Sequence, residues 1–558
     1  MASKASKPRR FALIVASLRF LRRRPRTRWF ALGLPYNACV ERLARITAAL
    51  LLTAYLVLLW PWTAGYASGA DNSGYLNLAR LFSSGKLRQE LRPPAAGFAT
   101  EGFDPWYFTP LGFFPHRSGT QLLPVYPPGL AALQALVGLF VPSLEVASRV
   151  VNLLAALLLL CAFYRLARAF GLPRPWALGS TALLAYNPLV LRFFTWNMSD
   201  GPAAALCTLA VLFATKSRKQ RLAAVGAGAI FALAVAVRPT NLLLFPALLL
   251  ALPWELGAWG FFALGAAPLA GALGVYNTVQ YGAPWASGYP PMAREFKLRY
   301  FPASLKHYAL WFSRFFSPLF LPAWLASLSS ACKQEKNQLL LAVWALPFLL
   351  FYGFYKYTDD AWWYLRFVLP ALPAMLLAAA LFAHRVVGRL FSRKPLAVWG
   401  ASGLFLLASG FSLVWCARLG VKGLARGERV YPEAVALAQE RLRPEDVLFA
   451  SQCSGSVYFY SERGLVRQDL LRERDLLRLL ERIEQEGRQA FLLLLGGEKV
   501  DFPRRYPFLV EKTAERGPVS LYRILVEKRQ LIGQVKPQPV LSGKPSVLPA
   551  TPREQAER

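Results

Sequence analysis

The chain has few charged residues, and the acidic ones are fewer than the basic ones. Only 17% of its 558 residues are charged, and 65 Lys and Arg stand against 31 Asp and Glu. Soluble proteins carry about one quarter charged residues, so the composition excludes a disordered chain and disfavours a cytosolic enzyme. Hydrophobic residues make up 55% of the chain. In that background the positive excess indicates basic loops on the cytoplasmic side of membrane helices rather than nucleic-acid binding.

Cysteine and histidine are also scarce. The six cysteines include no CxxC pair, and the three histidines, His116, His307 and His384, form no HExxH. These spacings exclude a disulfide framework and a zinc site of the common types. The sequence also lacks GxxxxGK[ST] and GxGxxG, the phosphate-binding loops of nucleotide sites.

Long apolar segments are what the sequence does have. A first candidate span covers 46–66, and ten more segments are long enough to span a membrane or nearly so. They lie at 148–168, 176–194, 201–215, 221–237, 241–253, 257–276, 308–328, 338–354, 367–384 and 395–417. Segment 128–141 is too short to span a membrane and is expected to form an interfacial or re-entrant helix. If it does not cross the membrane, four Lys/Arg clusters fall in cytoplasmic loops, as the positive-inside rule requires. We therefore predict a polytopic α-helical membrane protein of about 11 transmembrane helices in a cell inner (cytoplasmic) membrane, with a cytoplasmic N-terminus.

The spans divide the chain into regions. A basic cytoplasmic arm at 1–44 precedes a membrane domain at 45–420, whose outer loop at 67–147 is expected to hold interfacial helices. Apolar runs alternating with an amphipathic helix predict a small soluble α/β domain at 425–530 on the extracytoplasmic side. The Pro-, Lys- and Ser-rich stretch at 531–558 is expected to be a disordered tail.

An amphipathic helix is predicted directly after the first span. Tyr75, Leu78, Ala79 and Phe82 follow helical spacing, and Asp71 stands at its start. A carboxylate there touches both water and the edge of the membrane. Asp71 is therefore a candidate catalytic residue, with simple helix capping as the alternative.

A second carboxylate, Asp200, lies at another outer turn, between the segments 176–194 and 201–215. Ser199 or Asp200 is a natural helix cap and Pro202 suits a first helical turn, so capping is the stronger alternative here. The predicted topology places Asp200 on the same face as Asp71.

Arg238 and Arg366 are the outer basic residues with the most suggestive positions, since each enters an apolar segment. An arginine there usually pairs with an acid or binds an anion, because a lone charge in lipid is costly. Snorkelling to the lipid headgroups is the alternative. A carboxylate can accept a proton from an attacking hydroxyl, and an arginine can hold a departing phosphate, so the set predicts a reaction at the membrane surface.

With these residues the chain resembles the membrane-embedded GT-C glycosyltransferases, in particular the protein-mannosyltransferase-like and aminoarabinose-transferase-like group of glycosyltransferase family 39. The matching pieces, in order, are Asp71 with Tyr75 and Ala79, Tyr126-Pro127-Pro128, Asn187-Pro188 with Asp200, Arg238-Pro239, Tyr276-Asn277 with Tyr281-Gly282-Ala283-Pro284, and Trp362-Trp363-Tyr364-Leu365-Arg366-Phe367. Several members have an acidic or basic residue just before the proline pair, where this chain has Val125-Tyr126, and many have glycine before the arginine, where it has Leu365. These differences leave the sugar and acceptor contacts open.

The resemblance implies a polyprenyl-phosphate-linked sugar donor, an acceptor hydroxyl on a lipid, glycan or protein, and an inverting single displacement on the extracytoplasmic face. It makes Asp71 the candidate base, Asp200 a second active-site acid and Arg366 a candidate phosphate ligand, with Arg238 as a further candidate. The further candidates for substrate binding are Tyr75, Tyr126, Tyr289 and Lys356. No metal or other cofactor is predicted firmly; a divalent ion shared by Asp71 and Asp200 is the alternative.

Two other functions compete with this one. Polytopic proteins with charges in their membrane segments often transport, so a transporter or flippase of lipid-linked sugars is the main alternative. The sequence shows no internal repeat and no paired broken helices, and its acids lie at outer turns. A non-catalytic scaffold is the second alternative.

Overall fold

The computed structural model of the chain describes residues 52–94, 98, 102–289, 292–332, 335–356, 361–390, 394–498 and 510–525. The predicted basic arm at 1–44, the start of the first span and the predicted tail at 531–558 lie outside these residues. The described residues from Leu58 onward form one compact unit, which the following paragraphs concern.

The unit is mainly helical, as predicted. Its longer helices before the C-terminal region are Gly69–Ser83, Pro128–Gly138, Leu144–Ala169, Arg174–Ala185, Pro188–Phe194, Asp200–Lys216, Ala223–Val237, Phe245–Ala251, Leu256–Tyr281, Phe301–Phe315, Phe320–Cys332, Lys336–Gly353, Leu372–Leu390 and Lys394–Arg418. Short 3₁₀ helices cover Trp60–Trp62, Pro105–Phe108, Pro239–Leu244, Leu298–Tyr300, Trp362–Ala371 and Val421–Gly423, and one short α-helix covers Met292–Glu295.

Three helical stretches among the described residues are long and apolar enough to cross a membrane: Leu144–Ala169, Leu256–Tyr281 and Trp362–Leu390. A bent pair, Gly403–Arg418 with Val421–Arg441, would make a fourth. The number of eleven spans is therefore not confirmed. Segment 128–141 forms a helix of only 11 residues, about 16 Å long, which is the short helix that the sequence predicted.

Two predicted spans are wrong as single helices because proline interrupts them. Segment 176–194 breaks at Asn187-Pro188, where the Asn187 side chain accepts a hydrogen bond from the Leu189 amide at 3.0 Å and so caps a new helix. Segment 308–328 ends its first helix at Phe315 and begins a second at Phe320, with Pro318 between them. Proline lacks the amide that a continuous helix needs, and it restricts the residue before it.

The segment 67–147 contains the predicted amphipathic helix, which spans Gly69–Ser83 with Asp71 in its first turn. Gly85 follows it with a φ of 68°, a left-handed conformation that favours glycine at the end of a helix. A small antiparallel sheet of strands β1 (Gln89–Glu90), β2 (Phe113–Pro115) and β3 (Gln121–Pro124) has the order β1-β3-β2.

The C-terminal region contains the strands and the helix that the sequence predicts for it. Its strands are β4 (Val447–Phe449), β5 (Leu465–Val466), β6 (Ala490–Leu495), β7 (Val510–Arg516) and β8 (Val519–Ile524), and its helices are Leu424–Glu428, Val430–Arg441, Ser454–Tyr460 and Glu473–Gln485. The sheet order is β5-β4-β6-β8-β7, with β4 parallel to β5 and β6 and the last three strands antiparallel. The strand β6 is buried along its whole length, as its unbroken apolar sequence predicts.

The C-terminal domain shares a hydrophobic core with the segment 67–147. Side chains of that segment such as Leu78 and Phe108 pack in one cluster with Phe449 and Leu492 of the sheet. Polar contacts add to this core, since the Asn77 amide donates to the Gly455 carbonyl at 2.9 Å. The domain thus fixes the helix that carries Asp71.

The contact between the helices Ser454–Tyr460 and Gly69–Ser83 is close enough to test by adding one methyl group. A Cβ atom at residue 455 would lie 2.0 Å from the Ser73 hydroxyl oxygen. We therefore expect Gly455→Ala to lower the free energy of unfolding by about 1–3 kcal/mol, the usual cost of overpacking. Gly497→Ala, where no atom lies within 4 Å, is the control in the same domain. Equal melting temperatures for both variants would contradict the observed packing.

Candidate active site

Asp71 forms the centre of a polar cluster between the helix Gly69–Ser83 and the segment Trp362–Ala371. The Arg366 Nη1 atom donates to the Asp71 carboxylate at 3.1 Å, and the Tyr126 hydroxyl donates to its other oxygen at 2.5 Å. The side chain of Asp71 is 30% exposed and that of Arg366 is 19% exposed. The carboxylate is therefore held by two partners and still open on one side.

The local sequence explains where this carboxylate stands. Ser68 has an extended backbone and Gly69 a φ of 50°, so the chain turns sharply into the helix. Asp71 then falls in the first turn, where the unpaired amides and the helix dipole favour a negative charge.

Tyr126 reaches Asp71 because a glycine leaves room for its ring. A Cβ atom at Gly74 would lie 2.5 Å from the Tyr126 ring. On its other sides the ring packs against Tyr75, with centroids 4.9 Å apart, and against Tyr289, with centroids 6.3 Å apart. The three tyrosines predicted as substrate contacts are thus brought together beside Asp71. Gly74 is a site residue that the sequence analysis missed.

A second ion pair joins Asp200 to Arg238. Asp200 is the first residue of the helix Asp200–Lys216, and Arg238 ends the helix Ala223–Val237. This pair is more enclosed than the first, since the Asp200 side chain is only 2% exposed and that of Arg238 is 12% exposed.

One aromatic ring links the two pairs. The Phe367 ring lies 4.9 Å from the Arg366 guanidinium carbon and 5.3 Å from that of Arg238, within cation–π range of both. The charges of Asp71 and Asp200 both act on Arg366. The two acids and two arginines, far apart in the sequence, therefore form one cluster.

Lys356 lies outside this cluster and approaches it through a neighbouring residue. Its ammonium group pairs with Glu295 at 2.6 Å, while the ring of the preceding residue, Tyr355, contacts Phe367 with centroids 4.9 Å apart. Its contact with the cluster thus runs through an aromatic neighbour.

Glu428 is a further charged residue that the sequence analysis did not find. It accepts a hydrogen bond from Ser68, immediately before the helix of Asp71, and another from Trp196. Burial raises the pKa of the Glu428 carboxyl, and the Ser68 hydrogen bond and the charge of Arg192 offset part of that rise. No local pattern marks this residue, because its partners lie more than 200 positions away and meet it only in the fold.

The described residues contain no group of three or more His, Cys, Asp and Glu side chains placed to hold a metal ion. Asp71 and Asp200 are each paired with a guanidinium, whose positive charge opposes a second cation at the same carboxylate. The donor set therefore does not fit a divalent ion shared by the two aspartates.

Comparisons with solved structures identify this architecture. ArnT from Cupriavidus metallidurans bound to undecaprenyl phosphate matches with a TM-score of 0.52 and 13% identity, covering 86% of this chain and 98% of ArnT. Its apo structure gives a TM-score of 0.54 over the same shares. The chain has the GT-C fold. The mycobacterial arabinofuranosyltransferase AftD matches 87% of the chain with a TM-score of 0.51 and 14% identity, over 40% of its own length. ArnT and AftD are GT-C glycosyltransferases, so the predicted resemblance is confirmed at the level of the fold.

No protein-family model matches the chain, and no curated protein matches its sequence. The GT-C fold is therefore supported by three-dimensional similarity.

The raised pKa of Glu428 predicts a pH effect on stability. The native protein binds this proton more tightly than the unfolded chain does. The carboxyl therefore favours folding below its unfolded pKa of about 4.3, and this contribution is lost as the pH rises through the native value. We expect the melting temperature of the wild type to fall with rising pH relative to Glu428→Gln, measured from about pH 4 upward.

Glu440 provides a control of opposite sign. It is exposed, and its hydrogen bond with Arg516 lowers the pKa of its carboxyl. The ionised carboxylate therefore stabilises the fold at higher pH, and this contribution is lost as the pH falls through the native pKa. Glu440→Gln should remove it. Identical pH profiles for wild type and Glu428→Gln would contradict the burial of this carboxylate.

Proposed function

We propose that the chain is a membrane glycosyltransferase that transfers a sugar from a polyprenyl-phosphate donor to an acceptor hydroxyl on the extracytoplasmic face. The observation that carries this proposal is the partly open Asp71 carboxylate, paired with Arg366 and Tyr126 within a GT-C fold. A carboxylate next to an arginine supplies the two groups that such a transfer needs, a base and a phosphate ligand.

Asp71 is the proposed general base. The acceptor oxygen attacks the anomeric carbon of the sugar as Asp71 takes the hydroxyl proton. The bond between that carbon and the phosphate oxygen breaks, and the electron pair leaves with the polyprenyl phosphate. Attack opposite the leaving group inverts the configuration. The leaving phosphate is a weak base, so no general acid is required.

Arg366 is the proposed ligand of the leaving phosphate. Its charge can stabilise the negative charge that grows on the phosphate oxygens. When a donor phosphate binds Arg366, it competes with Asp71 for the guanidinium and so frees the carboxylate to act as a base. Tyr126 would keep the carboxylate in place during this exchange, through its 2.5 Å hydrogen bond.

Asp200 and Arg238 have a different proposed role. The Asp200 side chain is only 2% exposed and pairs with Arg238, whereas the Asp71 side chain is 30% exposed. We assign to this pair the positioning of Phe367, and through it of Arg366, rather than proton transfer. Tyr75 and Tyr289 would line the sugar site, with Lys356 at its periphery.

The fold neighbours support the donor class. ArnT was solved with undecaprenyl phosphate, a lipid phosphate of the proposed kind. We propose an inner-membrane protein whose N-terminus is cytoplasmic and whose C-terminal domain is extracytoplasmic. The acceptor would be a lipid, a glycan or a protein.

The two aspartates should differ when each is neutralised. Asp71→Asn is expected to keep the fold and lose about 100-fold or more of the transfer rate, because general bases contribute about 10²–10⁴-fold. Asp200→Asn should instead destabilise the protein by about 3–5 kcal/mol, because it leaves the buried Arg238 unpaired. Transfer from a radiolabelled polyprenyl-phosphate sugar and the melting temperature provide the two readouts.

Asp104→Asn is the matched control. Asp104 lies on the same outer loop and caps a short helix by accepting a hydrogen bond from the Trp106 amide, a role that asparagine can also fill. Full transfer activity of Asp71→Asn would reject the proposed base. Movement of the lipid-linked sugar across the membrane without transfer to any acceptor would indicate a flippase instead.

The proposed mechanism uses no metal. Purified protein treated with EDTA and dialysed is expected to retain its transfer rate, because Arg366 supplies the positive charge at the phosphate. Loss of activity that returns when Mg²⁺ or Mn²⁺ is added would show that a divalent ion takes part.

A further inference from the structure

Arg192 is a buried arginine for which the mechanism above has no use. It lies in the last turn of the helix Pro188–Phe194, and only 8% of the residue is exposed. Its guanidinium carbon stands 4.0 Å from the centre of the Trp196 ring. Two of its nitrogens, Nε and Nη1, are enclosed and have no hydrogen-bond partner among the described residues.

Burying these N–H groups costs free energy unless a hydrogen-bond acceptor binds them. A buried donor without an acceptor loses its hydration and gains nothing in return, and the cost is larger for a charged group. The charge of Glu428 acts on Arg192 and offsets part of this cost, but no hydrogen bond from Nε or Nη1 reaches an acceptor.

Arg192 lies close to the proposed phosphate ligand. The charges of Arg192 and Arg366 act on each other. Both guanidiniums also contact the turn between Trp196 and Met198, because Arg192 stacks on the Trp196 ring and Arg366 Nη1 lies 3.9 Å from the Met198 sulfur. The Arg366 Nε atom is likewise enclosed and without a hydrogen-bond partner.

We propose that Arg192 and Arg366, which both contact the Trp196–Met198 turn, together bind the phosphate of the lipid donor. This inference rests on the proposed function and adds a second arginine to its substrate site. A phosphate offers several acceptor oxygens, and unused N–H groups of two arginines supply matching donors. It would also relieve the repulsion between two neighbouring positive charges. Without phosphate, Glu428 provides the balancing charge for Arg192.

The test measures binding rather than transfer, using the full-length protein in lipid nanodiscs. The probes are farnesyl phosphate and farnesol, which share the isoprenoid chain and differ in the phosphate. We expect Arg192→Gln to raise the Kd for farnesyl phosphate about tenfold or more and to leave farnesol binding unchanged.

Arg314→Gln is the matched control. Arg314 also stacks on tryptophan, with its guanidinium carbon 4.9 Å from the Trp311 ring and 5.2 Å from the Trp415 ring. Its loss removes a similar positive charge and a similar cation–π contact, so it should not change the affinity for farnesyl phosphate.

The outcomes separate this inference from the function on which it rests. Wild-type affinity in Arg192→Gln, together with weaker binding in Arg366→Gln, overturns the role of Arg192 and leaves the proposed function intact. Equal affinity of the wild type for farnesyl phosphate and farnesol overturns both. If Arg192→Gln does not fold, Arg192→Lys, which keeps the charge but not the planar fork, must still bind the phosphate several-fold more weakly. Wild-type affinity in that variant also overturns the inference.

Discussion

The ion pair between Asp71 and Arg366 is the interaction on which the account of this protein depends. It joins residues 295 positions apart, one in the helix Gly69–Ser83 and the other in the segment Trp362–Ala371. The Asp71 carboxylate pairs with this arginine, and the same arginine can turn toward an incoming phosphate. A single contact therefore determines where the proposed base stands and how substrate binding would release it.

The surroundings of this pair keep it in place without closing it. The C-terminal domain shares its core with the segment 67–147 and so holds the helix of Asp71, while Phe367 lies against both arginines. The more enclosed pair of Asp200 and Arg238 has the proposed role of positioning Phe367. The two ion pairs have the same chemistry but differ in exposure. The more exposed pair, Asp71 and Arg366, is the proposed reacting pair, and the enclosed pair, Asp200 and Arg238, is the proposed supporting one.

Much of this arrangement was predictable from the sequence because its signals are local or ordered. The spacing of Tyr75 and Phe82 predicts the helix of Asp71, and the ordered motifs from Tyr126 to Arg366 predict the GT-C fold. Proline breaks were missed where an apolar run continues through them, as at Pro318. Glu428 was missed because its partners Ser68 and Trp196 lie more than 200 positions away and meet it only in the fold. Arg192 was missed because the residues around it in the sequence do not reveal that it is buried.

A structure of the full chain in nanodiscs with a bound polyprenyl phosphate tests the central claim most directly. The account predicts a phosphate within hydrogen-bond distance of the Arg366 guanidinium, and an Asp71 carboxylate that has left Arg366 but still accepts from Tyr126. A phosphate bound elsewhere, with the pair of Asp71 and Arg366 unchanged, would contradict it.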